Sequence, residues 1–126
     1  MKLPVVLIIV VGACLSFAQM SARAPQETAQ AKQYFIAIFS RGPAWDSAKP
    51  ANEQTGFKEH SETLRRLRSE KKISIGGRYG EKGMVIVEVG NEADARALFA
   101  SDVMVLKNTF TLELHQFRPF YKGSIE

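Results

Sequence analysis

The run Gln33 to Phe39, QYFIAIF, constrains the fold of this chain more than any other stretch. Side chains of a strand alternate between two faces, and here both alternating sets are apolar: Tyr34, Ile36 and Ile38 on one, Phe35, Ala37 and Phe39 on the other. A strand with no polar face is covered on both sides, so this one belongs in the middle of a sheet. The chain must therefore supply flanking strands and a layer over each face.

The pattern downstream of this strand supplies them. Arg41-Gly42-Pro43-Ala44-Trp45 breaks the alternation, and a polar stretch containing Pro50 makes a long loop to Asn52, of the kind that often serves function in a small domain. From Asn52 to Lys71, Phe57, Leu64 and Leu67 recur at helical spacing among charged residues, which predicts an amphipathic helix. Ile73 to Gly77 and Met84 to Val89 are strand-like, joined by a glycine-containing turn over Arg78–Gly83. Asn91, with Asp94 three positions on, is a helix start that leads through Ala95, Leu98 and Phe99 to Ala100. Thr109 to Phe117 alternates Phe110, Leu112 and Leu114 with Thr111, Glu113 and His115 as a last strand. The order β-α-β-β-α-β predicts an α+β, ferredoxin-like domain: a four-stranded antiparallel sheet with two helices on one face. The other face is left bare, and because the first strand is apolar on both sides that face should also be buried; the simplest cover is a second copy, so a homodimer is expected, the alternative being a monomer with a ligand or lipid against the sheet.

Composition agrees with one folded domain: 45% of residues are hydrophobic and 24% charged in a chain of 126. Met1-Lys2 followed by the uncharged apolar run Leu3 to Phe17 predicts an export signal over residues 1–18, cut after Ser16-Phe17-Ala18 and too short for a permanent membrane span. The rival is a lipoprotein box, Val11-Gly12-Ala13-Cys14, with the chain anchored through Cys14. Residues 19–32 read as a flexible leader, 33–121 as the domain and 122–126 as a tail. Losing Lys2 lowers the formal net charge of +4 by one, too mild a balance for a nucleic-acid binder. The one cysteine lies in the signal, so the exported domain has neither disulfide nor thiolate chemistry.

Few side chains are candidates for chemistry. His60 shares a narrow helical sector with Phe57, Leu64 and Leu67, so it points at the sheet, either as a core residue or as a proton carrier open to a pocket. Asp102, continued along the second helix, falls on its apolar side in the last turn, where the helix dipole disfavours a carboxylate. It either pairs with His60, orienting the imidazole, or ends the helix facing solvent. Arg41 and Trp45 bracket Gly42-Pro43 at the strand end and either bind an anionic or aromatic ligand or cover the sheet edge. His115 is expected on the polar or dimer-facing side with a structural role. Gly76, Gly77, Gly80 and Gly83 lie between two strands with no helix after them, so they indicate a hairpin rather than a phosphate loop. No metal ligand set, no G-x-S-x-G elbow and no cofactor motif is visible, and the cationic cluster Arg65 to Lys72 reads as a solvated helix face.

In order and spacing, these features resemble the YCII-related (YciI-like) domain across Tyr34 to Phe117: the opening strand with Arg41-Gly42-Pro43-Ala44-Trp45, Gly56-Phe57 with His60 and the Leu64/Leu67 helix, Ile75-Gly76-Gly77, the Val85–Val89 strand, Ala93 to Phe99, and Ser101-Asp102. The resemblance implies a dimeric α+β barrel and a His-Asp active-site pair at His60 and Asp102. The chain departs from the family in having Val103 after Asp102, Lys107-Asn108 where a glycine usually precedes the last strand, and Gly76-Gly77 in place of Gly-Pro. The expected function is cofactor-free proton transfer of the lyase or isomerase type on a small polar aromatic or enolisable compound, with Arg41 and Trp45 binding the substrate. The alternative is a non-catalytic homodimer that binds a small ligand or serves assembly.

Overall fold

The computed structural model describes residues 31–121 and residue 123. The expected signal with Cys14, the leader up to residue 30 and the rest of the tail lie outside the described residues. The elements run β1 (Gln33–Arg41), a 3₁₀ turn (Ala51–Glu53), α1 (Phe57–Ser69), β2 (Ile73–Tyr79), β3 (Lys82–Val89), α2 (Glu92–Ala97), α3 (Val103–Leu106) and β4 (Phe110–Phe117). All pairings are antiparallel and the sheet order is β2-β3-β1-β4, an α+β arrangement compatible with the ferredoxin-like fold.

β1 is central, as its two apolar faces require. Phe35, Ala37 and Phe39 are buried beneath the helices together with Val85, Val87 and Val89 of β3 and Leu114 of β4. Leu67 of α1 and Ala95 and Phe99, in and just after α2, close that core from above. Each large side chain buried this way contributes about 1.5–3 kcal/mol relative to an exposed one. α1 packs against β2 and α3, and α2 against β3 and β4. The opposite face holds Tyr34, Ile36, Ile38, Met84 and Ile86, all half-buried, with Glu113 and His115 exposed beside them. His115 is therefore on the uncovered face, its Nε2 3.4 Å from Glu113 Oε2.

The helices differ from the sequence expectation in three places. α1 starts at Phe57 rather than Asn52, because Gly56 takes a left-handed φ of 86° and separates it from the 3₁₀ turn. The last residue of α1 is Ser69 rather than Lys71, because Lys71 turns left-handed at φ 58° and the Lys72 N–H bonds back to Leu67 O at 2.8 Å, a left-handed helix stop. The expected second helix is two: α2 closes at Ala97 through tight turns, Phe99 N to Arg96 O and Asp102 N to Phe99 O, and α3 opens at Asp102. α3 in turn stops on Asn108 at φ 57°, with Thr109 N bonded to Met104 O. Asparagine tolerates this conformation better than most residues, so Asn108 fills the place a glycine would take before the last strand.

Candidate functional site

The site begins with a local consequence of the αL residue at Gly56. A Cβ there would lie 2.8 Å from Val103 Cγ1, so only glycine lets the start of α1 rest against the start of α3. This contact puts His60 opposite Asp102. His60 Nδ1 lies 2.6 Å from Asp102 Oδ2, with the histidine side chain 8% exposed and the aspartate fully buried. Asp102 Oδ1 accepts the backbone N–H groups of Met104 at 3.0 Å and Val105 at 3.3 Å, which makes Asp102 the N-cap of α3.

The expectation that Asp102 occupies the last turn of the second helix is therefore corrected: it sits at the positive start of a new helix, which favours a carboxylate. The solvent-facing alternative is excluded by its burial. The signal that marks this cap in the sequence is an aspartate directly before the apolar run Val103 to Leu106. A carboxylate already accepting two amide bonds is an acceptor toward the ring as well, so His60 Nδ1 donates its proton to Oδ2. That leaves Nε2 without a hydrogen on the neutral ring. Nε2 has no hydrogen-bond partner among the described residues and is not sealed from solvent.

The ring is held by two aromatic edges, Phe39 with centroids at 5.0 Å and Phe110 at 5.2 Å. It forms part of the wall of a cavity of about 690 Å³ between α1 and the β2–β3 side of the sheet, the size of a small-molecule site. Arg41, exposed, and Trp45, half-buried, also line this cavity, so they meet the buried His60 there, while Asp102 stands behind His60. Trp45 stacks on Phe110 at 5.7 Å and 23°, and the Arg41 guanidinium lies 5.0 Å from the indole centroid. Arg41 also pairs with Glu81 at 3.0 Å.

The loop that carries Trp45 is fixed at both ends. Gly42 N bonds Thr109 O at 2.9 Å and Ala44 N bonds Asn108 O at 3.0 Å; a Cβ on Gly42 would lie 2.2 Å from that same Asn108 oxygen. Buried Gln54 holds the far end, donating to Asp46 O at 2.6 Å and Lys49 O at 3.0 Å and accepting from Asp46 N at 3.0 Å. Sequence reasoning missed Gln54, and it missed Arg65, Arg68 and Arg78, which line the cavity. For Arg65 and Arg68 the signal was their place on α1: Arg68 lies roughly 80° around the helix from His60, just beyond Phe57 and Leu64. They form one wall of the cavity while remaining exposed, so the reading of this helix face as solvated holds, and on it Arg66 pairs with Glu70 at 3.0 Å.

Gly76, Gly77 and Gly83 belong to the β2–β3 hairpin as expected and form the cavity wall opposite α1. Among the described residues no cluster of three or more His, Cys, Asp or Glu side chains could hold a metal ion, and no helix is long and apolar enough to cross a membrane. No protein-family model matches the chain, and no curated protein or solved structure matches it significantly.

Proposed function

We propose that the cavity is an active site in which His60 carries a proton and Asp102 orients it. The observation that carries this reading is the 2.6 Å contact from Nδ1 to a buried carboxylate, which leaves Nε2 unbonded at the cavity wall. On a small enolisable or polar aromatic compound, the Nε2 lone pair takes a proton from carbon next to a carbonyl. The C–H electron pair becomes a C=C bond and the carbonyl π pair moves to oxygen as an enolate. The imidazolium then returns the proton to carbon or to a leaving group, so an isomerisation or an elimination balances with neither oxidant nor cofactor. Arg41 and Trp45 hold the substrate beside the ring. The ordered motifs that resemble YCII-related domains support the same reading.

The chain is further proposed to be exported, on its apolar N-terminal run, and to act as a homodimer. What supports the dimer is a sheet face whose centre is Ile36, Ile38, Met84 and Ile86 and whose margin is Glu88, Glu113 and His115. An apolar centre with a polar margin suits burial against its own copy.

Two measurements test the proton-transfer reading. In ¹⁵N spectra of the imidazole, His60 is expected in the Nδ1–H form, and Asp102→Asn is expected to disturb that preference. In D₂O, the chain is expected to speed deuterium uptake by a panel of enolisable keto acids and lactones, and His60→Gln to slow it by about 10²-fold or more. An imidazole indifferent to Asp102→Asn, or uptake indifferent to His60→Gln, would leave the pair structural and the cavity a binding site only.

A further inference from the structure

The charge around the cavity is one-sided. Five cationic residues line it, Arg41, Lys49, Arg65, Arg68 and Arg78, against the single carboxylate of Glu81. That carboxylate is already engaged with Arg41, and Lys49 lies 3.6 Å from Asp46. Arg65, Arg68 and Arg78 have no acidic partner among the described residues. Of the three described arginines away from the cavity, two are neutralised, Arg66 by Glu70 and Arg96 by Glu92, while Arg118 bonds only Gln116. Unneutralised guanidinium groups gathered at one concavity repel one another and build a positive potential, and an anion entering the cavity relieves both.

The opposite end of the cavity is aromatic, with Phe39, Phe110 and Trp45 around His60. Along α1 the arginines at 65 and 68 rise about 7.5 and 12 Å beyond His60. A molecule that lays a flat unsaturated body on the aromatic end thus presents its far end to the guanidinium groups. We propose that the substrate is a small organic carboxylate whose charge is held by Arg65, Arg68 and Arg78 while its unsaturated part lies beside His60. The proposal rests on the proton-transfer reading for where the reacting carbon sits; the anion grip stands on the cavity wall alone.

The test is calorimetric titration of the full chain with benzoate and with benzamide, which share shape and ring but differ in charge. Benzoate is expected to bind at least about tenfold more tightly, since a charge-assisted guanidinium contact exceeds a neutral one by that much. The preference should shrink as salt is raised and disappear in the triple variant Arg65→Gln, Arg68→Gln, Arg78→Gln. Glu81→Gln, which releases Arg41 from its ion pair, should move benzoate affinity the other way and strengthen it. Equal affinity for the two probes, binding of neither, or a preference that survives the triple variant would each overturn the proposal. The ¹⁵N signature of His60 in the ligand-free chain separates the two claims. If that signature is intact but benzoate is not preferred, the anion grip alone fails. If benzoate is preferred but the imidazole ignores Asp102, proton transfer alone fails.

Discussion

Asp102 serves two groups with its two oxygens: Oδ1 closes the first turn of α3 and Oδ2 receives the His60 proton. Removing the side chain therefore subtracts a helix cap and strands a buried imidazole N–H at the same time. Asp102→Ala is expected to destabilise the fold by roughly 2–4 kcal/mol, the sum of a lost cap and an unsatisfied buried donor. Asp102→Asn keeps an acceptor for the α3 amides and should cost about half as much. Urea midpoints of the two variants check this, and equal losses would mean that the cap contributes nothing. At this scale much was legible in the sequence. The helical sector of His60 gave its inward orientation, and the strand end gave Arg41 beside Trp45. Cavity arginines 65 and 68 were not, because a charged residue at the border of an apolar stripe looks the same in sequence whether water or a cavity lies beyond it.

Elements were legible where one period ran unbroken and obscure where the chain changed period without a proline. β1 is an unbroken apolar run and β4 alternates cleanly, and the sheet formed as expected with each strand within about two residues. The split of α2 from α3 was hidden because Ala95, Leu98 and Phe99 keep a helical spacing up to the point where the backbone tightens. The same elements give a test at their own scale. Gly56 combines a left-handed φ with a close approach to Val103, so Gly56→Ala strains the backbone and wedges α1 from α3. A loss of roughly 1–3 kcal/mol is expected, visible as a lower melting temperature. It should also weaken the His60–Asp102 hydrogen bond, seen as exchange broadening of the imidazole ¹⁵N signals. A variant as stable as the parent with sharp signals would show that the contact between these helices does not position the site.

For the whole molecule, the β-α-β-β-α-β order was readable because each element carries its own pattern, whereas the proposal that two copies pair rests on a face rather than a motif. The central column of that face, Ile36, Ile38, Met84 and Ile86, is apolar across two adjacent strands. Light scattering after size exclusion is expected to give twice the chain mass, and Ile36→Asp to halve it while leaving far-ultraviolet dichroism unchanged. A monomeric parent would mean that some other group covers the sheet.

The double use of Asp102 reaches beyond stability into how the chain can change over time. A descendant that lost all chemistry would still be held to a capping side chain at 102, aspartate or asparagine, by the need to start α3, whereas at 60 only packing and one hydrogen bond would hold the histidine. Were relatives collected, a cap at 102 would trace ancestry of the fold, and the joint survival of aspartate and histidine would trace the proposed reaction.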